Sequence, residues 1–191
     1  MSTALSPLGA SQNLDGLQRI RRLSGWMVLA CQALLLILPV AWLWHWMTAA
    51  VPDLAMQANL SAGVIQLELL PLQRVAAAAV NAVPLVCVLV GVWQVKQCFQ
   101  AFTQGQIFTS QAIAHLRRFA GWVAAAALAA IVSGAVVSVL LTLQNAPGTR
   151  QLAIGVSSDH VFTLFFAALV WLMADIMGQG QALAEENERF V

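Results

Sequence analysis

The chain reads as an all-α integral membrane protein with four transmembrane helices, and three observations predict it. Of its 191 residues, 60% are hydrophobic and 9% charged, against about a quarter charged in an ordinary soluble domain. Four apolar runs, residues 24–47, 75–94, 119–143 and 158–177, meet or approach the roughly 20 residues that a helix needs to cross a hydrocarbon core. The basic residues fall almost entirely on one side of those runs: Arg19, Arg21, Arg22, Lys96, Arg117, Arg118 and Arg189 against Arg74 and Arg150. The richer side is expected in the cytoplasm, which puts both termini inside.

Residues 1–22 form a cytoplasmic tail ahead of a single four-helix domain, 23–191. The basic group that ends the tail is followed by an apolar run too long for a secretory signal, so the first span is expected to stay as a helix. At its far end stand Trp42, Trp44, His45 and Trp46, whose amphipathic rings suit the headgroup level. The first outer loop, Thr48 to Arg74, and the second, Gln144 to Asp159, leave two readings open. "VIQLELL" and "RQLAIGV" partly alternate apolar and polar residues, so the two can pair as a small two-stranded extracytoplasmic cap. The first loop can instead hold an interfacial helix around Leu54 to Leu60.

The second helix, if unbroken from Val75 to Gln104, is about 45 Å long at 1.5 Å per residue, against a hydrocarbon core of about 30 Å. Its last turns therefore project into the cytosol as one arm of an elbow, residues 95–118. Phe99 and Phe102 share a face of that projection. Gly105 suits the left-handed residue that ends a helix, and Thr109 suits the cap of the next. Phe108 before that cap and Ile113 after it have the spacing of a hydrophobic staple. The elbow is a structural turn on one reading and a docking surface for a cytosolic protein on the other.

Polar groups within the spans are weighed as glue first. Gln32, Asn81, Ser133 and Ser138 are expected to hydrogen-bond to neighbouring helices. Pro39 and Pro84 each remove an internal hydrogen bond and predict kinks. Ala130, Gly134 and Ser138 recur at four-residue steps, a stripe of small residues that lets another backbone approach, within the chain or in a homo-oligomer. The fourth span is short unless its helix starts near Ser158, with Ser158 or Asp159 as its cap. Asp175 lies near its inner end, where a carboxylate costs much less than at the bilayer centre. It is expected to pair with Lys96 or Arg118, or else to respond to protons or cations. The tail 178–191 carries Glu185, Glu186 and Glu188, which solvate it or offer an acidic handle to a basic partner.

The run "VPLVCVLVGVWQVKQCFQAFTQGQIFTSQAIAHLRRFAGW" and the later "MADIMGQGQALAEENERFV" resemble the bacterial membrane family catalogued as domain of unknown function 2975, DUF2975. The likeness is carried by Phe99, Gly105, Ile107, Phe108, Thr109, Leu116 and Arg117, then by Gly180, Leu183, Glu185, Glu186 and Asn187, and it covers roughly residues 20 to 191. Glu188 fits the family pattern, whereas Arg189 and Phe190 depart from it. The resemblance implies a four-helix protein of the bacterial inner membrane, often encoded beside a small helix-turn-helix regulator. It implies no known chemistry.

Enzyme classes find little support in the sequence. It has no H-E-x-x-H, no G-x-S-x-G and no phosphate loop, so no catalytic residue and no cofactor is expected. Cys31, Cys87 and Cys98 have neither disulfide nor metal-knuckle spacing. His45, Asp53, Glu68, Asp159 and His160 gather on the outer side without ligand spacing, so no metal is expected either. A net charge of +1 argues against direct nucleic-acid binding.

Two functions remain. The preferred one is a non-enzymatic accessory or regulatory membrane component that binds other proteins through Phe99, Phe102, Gly105, Phe108, Thr109, Glu185 and Glu186. The alternative is a small transporter or ligand-binding protein with its site between kinked helices and the outer loops, for which Asn81 and Asp175 are the intramembrane polar candidates.

Overall fold

The structure, a computed structural model, describes residues 7–60, 70–104, 109–145 and 150–188, with side chains from Arg21 to Leu183 within those limits and at Glu186. Five helices follow in chain order among the described residues: α1 (Pro7–Thr48), α2 (Val51–Gln57), α3 (Pro71–Thr103), α4 (Ser110–Leu141) and α5 (Ser158–Glu188). Four of them contain segments long and apolar enough to cross a membrane: Arg21–Thr48, Pro71–Thr103, Ser110–Leu141 and Ser158–Leu183. The chain is thus a multi-pass membrane protein whose regular elements, among the described residues, are all helices. Its helices run past the expected spans almost everywhere. The tail read at 1–22 is already helical from Pro7, whereas α4 stops at Leu141 rather than at residue 143.

Local sequence explains most of the ends. α2 and α3 begin with a proline in their first turn, where the missing N–H has no intrahelical partner to lose. Thr109 caps α4 as expected, its hydroxyl accepting the Ala112 N–H at 3.3 Å. α2 ends in a Schellman turn, in which Leu60 N–H reaches the Ala55 carbonyl at 2.9 Å and Asn59 N–H the Met56 carbonyl at 3.0 Å. Asn59 takes the left-handed φ of 55° that this turn needs, a conformation asparagine tolerates better than most residues. α5 starts at Ser158, as required, but neither Ser158 nor Asp159 caps it. Ser157 stands at its start instead: its carbonyl accepts His160 N–H at 3.1 Å and its hydroxyl pairs with His160 Nδ1 at 2.7 Å. Neither Pro39 nor Pro84 ends its helix.

The four long helices form a row. α1 packs on α3, α3 on α4 and α4 on α5, while among the described residues the α1 backbone does not closely approach that of α4 or α5. α4 is the most buried span, and its contact face is built of small residues such as Ala120, Ala126, Ala127 and Ser138. Small side chains let backbones approach where lipid provides no hydrophobic drive for helices to associate. The arrangement is therefore more open than a closed four-helix bundle. Gly134 also departs from expectation, since a Cβ there would meet nothing within 4 Å. Only Ser138, at the end of that stripe, is fully buried.

One end of the row is closed by α2. The alternative reading of the first loop, a short helix, is the one observed, although it begins at Val51 and is embedded rather than superficial. Leu54, Ala55, Ala58 and Leu60 join Trp46, Ala77, Val137 and Leu141 in one buried cluster. The expected two-stranded cap finds no support: 151–157 contains no strand, and residues 61–69, which hold most of the other run, lie outside the described residues. The amides of the second loop go to hydroxyls of α4 instead. Ala153 N–H donates to Ser138 Oγ at 3.0 Å and Gln151 N–H to Thr142 Oγ1 at 3.3 Å. With those donors satisfied, the loop lies along the helix end.

Candidate functional site

Two regions carry polar chemistry among the described residues, one at each end of the row. The α2 end is held by side chains reaching across helices. Arg74, from the first turn of α3, donates Nε to the Trp46 carbonyl at 2.8 Å and Nη2 to the Ala49 carbonyl at 2.7 Å. Those carbonyls belong to the last turn of α1 and the linker after it, where no further turn follows to supply donors and a cation suits the helix dipole. Gln73 links the same end of α3 to α4 through the Leu140 carbonyl at 3.3 Å. Neither role was foreseen. The available signal was a polar pair beside Pro71, opposite a helix end rich in unpaired carbonyls.

The tryptophan cluster divides between two faces. Trp44 is 72% exposed and faces outward as an interfacial ring would, whereas Trp46 is 5% exposed and Trp42 is half-buried. Residues 42 and 46 are one helical turn apart and so share a face; their rings lie 6.4 Å apart. Both indole N–H groups are buried and have no hydrogen-bond partner among the described residues.

Below α2 lies a cavity of about 210 Å³, lined among others by Trp46, Gln57, Asn59, Asn81, Ser133 and His160. It adjoins a second of about 420 Å³, with which it shares Gln57, Asn81, Ala130 and His160 and which descends along Pro84, Leu85 and Val88. Trp42 of α1 and Thr163 of α5 both line this second cavity. The space between the two edge helices is what the open row leaves. Asn81, expected as interhelical glue, makes no hydrogen bond among the described residues and lines both cavities. Gln57 Oε1 accepts from His45 Nε2–H at 3.3 Å. Ser157 N–H donates to His160 Nδ1 at 3.2 Å, which places the proton of a neutral ring on Nε2.

At the opposite end, the rings of Phe99 and Phe102 meet edge to face at 6.1 Å, and both are half-buried. Thr109 is occupied as the α4 cap. Gly105 and Phe108 lie outside the described residues, as does the side chain of Glu185, while Glu186 is exposed. Asp175 pairs with Arg117 rather than with Lys96 or Arg118. Lys96 sits 5.1 Å from the Trp93 ring and Arg117 also lies over Trp171 at 6.0 Å. The reason is helical phase: Arg117 is on the α4 face that meets α5, next to Ile113, which a Cβ on Gly178 of α5 would contact at 3.8 Å. Two further ties went unforeseen, Arg21 Nε to the Thr103 carbonyl at 2.9 Å and His115 Nδ1 to Gln94 Oε1 at 2.8 Å. Among the described residues no group of three or more His, Cys, Asp or Glu side chains is placed to hold a metal ion.

The fold and these two regions define the class, a multi-pass helical membrane protein. The family model described as "Protein of unknown function (DUF2975)" matches residues 68–191, and the chain belongs to that family. The matched region holds α3, α4 and α5; α1 and α2 precede it, so the match is narrower than the resemblance drawn from the sequence. No match was found among curated proteins or among solved structures.

Proposed function

We propose that the protein is a non-enzymatic regulatory or accessory component of a bacterial inner membrane, with both termini and the α3–α4 elbow in the cytoplasm and the elbow end as its surface for other proteins. The observation that carries this reading is helix length. α3, α4 and α5 have 33, 32 and 31 residues, about 50 Å each at 1.5 Å per residue, where a bilayer core takes about 30 Å. Set against the apolar runs 75–94, 119–143 and 158–177, most of the excess lies toward the end that carries most of the basic residues. That end carries Phe99 and Phe102 on α3, the exposed Glu186 on α5, and a cleft of about 360 Å³ between α4 and α5 lined by Ile113, Arg117 and Gly178. The test is affinity purification in mild detergent against a Phe102→Ala variant of equal abundance. A cytosolic protein retained in stoichiometric amount by the parent and lost from the variant is the expected result. Identical recoveries from both would remove the reading.

A second reading, a ligand-binding protein or small transporter, is favoured by one specific observation: the joined cavities at the α2 end, lined by Asn81 and framed by the Pro84 helix. Uptake or binding by the purified protein in liposomes, with no partner added, is its test.

A further inference from the structure

We propose that the joined cavities at the α2 end hold a neutral single-chain amphiphile, with an oxygen-bearing head at Trp46, Asn81 and His160 and its chain along Pro84, Leu85 and Ala127. The inference rests on the second reading above and names its ligand class. Three observations support it.

The upper cavity is rich in donors. The Trp46 indole N–H is buried without an acceptor among the described residues, on a residue only 5% exposed. The Asn81 amide has no partner among the described residues, and His160 presents Nε2–H because its Nδ1 accepts from Ser157. A buried donor is ordinarily satisfied, and one left alone, as the Trp46 indole is, costs about 1–3 kcal/mol; Asn81 and His160 are half-buried and add donors that line the same space. A ligand carrying carbonyl, ester or hydroxyl oxygens would satisfy them together.

Charge excludes an anionic head. No Lys or Arg lines either cavity among the described residues, and the one formally charged lining side chain is Asp159. A phosphate or carboxylate placed there would be desolvated beside a like charge with no cation to offset it.

Shape calls for a chain. About 210 Å³ is smaller than the roughly 300–1,000 Å³ of drug-sized sites and suits a head group. The adjoining cavity continues from Asn81 to Val88 of α3, about 10 Å along the helix axis, and changes from amide-lined to apolar on the way. An amphiphile whose head stays near the membrane boundary and whose chain points to the midplane has this polarity profile.

The experiment uses the full chain in phosphatidylethanolamine and phosphatidylglycerol nanodiscs, with a monoacylglycerol carrying a photoreactive group on its chain. Crosslinks are mapped by mass spectrometry. Labelling of 84–88 and 126–130 is expected, displaced by unlabelled monooleoylglycerol at about tenfold lower concentration than by oleate. Asn81→Leu and Trp46→Phe should each weaken displacement about five- to tenfold, as expected for losing one buried hydrogen bond, and Trp44→Phe on the outward face should leave it unchanged. The two cavity variants serve as checks on each other should one unfold, thermal melting being recorded for both. Equal or better competition by oleate overturns the neutral-head assignment and leaves the ligand-binding reading standing. Labelling spread over the outward faces of α1 and α5, indifferent to both variants, overturns both.

Discussion

Arg74 offers the most direct measure of what holds the α2 end together. Its guanidinium spans two carbonyls, Trp46 at 2.8 Å and Ala49 at 2.7 Å, and so pins the end of α1 and the linker into α2 against the first turn of α3. A hydrogen bond to a charged group contributes about 1.5–3 kcal/mol. The two share one guanidinium and the residue is half-buried, so water can partly replace it, and the lower half of the sum is appropriate. Arg74→Met should therefore cost about 3–4.5 kcal/mol in equilibrium unfolding by SDS titration of the protein in mixed micelles. Arg74→Lys keeps the charge but loses the forked geometry, and should recover no more than about half of that. A methionine variant within about 0.5 kcal/mol of the parent, the usual range for a surface substitution, would refute the idea that this side chain organises the helix ends.

Further predictions concern the other contacts. Leu54 is 1% exposed at the centre of the apolar cluster under α2, and Leu54→Ala should cost about 2–5 kcal/mol in the same titration; a loss below 1 kcal/mol would mean that α2 is not docked. Ser138→Ala removes the acceptor of the Ala153 N–H and should cost about 1–2 kcal/mol, with faster amide hydrogen exchange over 151–156 as its local signature. The Arg117–Asp175 pair, with side chains 48% and 39% exposed, is screened, so Asp175→Asn should change stability by no more than about 1 kcal/mol; a larger loss would show that the pair is shielded from water. Alkaline phosphatase fused after Val191 should be inactive and a fluorescent protein bright, and the reverse pattern would invert the proposed orientation.

Hydropathy alone located the four spanning helices, and local chemistry alone located the Thr109 cap. Both rest on interactions within a few residues: in lipid a helix satisfies its own backbone, so an apolar run of sufficient length has only one structure open to it. The first loop was less legible. The loop reads either as one strand of a two-stranded cap or as an interfacial helix around Leu54 to Leu60, because what decides for the helix is burial of Leu54, Ala55, Ala58 and Leu60 against Trp46 and Leu141, over eighty residues apart in sequence from each other.

Which helix lies beside which was beyond reach of the sequence. Lipid is as apolar as a leucine side chain, so the order of helices depends on matching small residues and polar ties across distant segments. That matching placed Arg117, not Arg118 or Lys96, beside Asp175, turned Trp42 and Trp46 inward while Trp44 faces out, and left Asn81 on a cavity instead of against a neighbour. The sequence by itself determined that this chain is helical, crosses a membrane and has a polar elbow. Only the tertiary structure decided that α1 and α5 stand apart across a donor-lined space, because that gap is set by the row order α1, α3, α4, α5, which no single segment encodes.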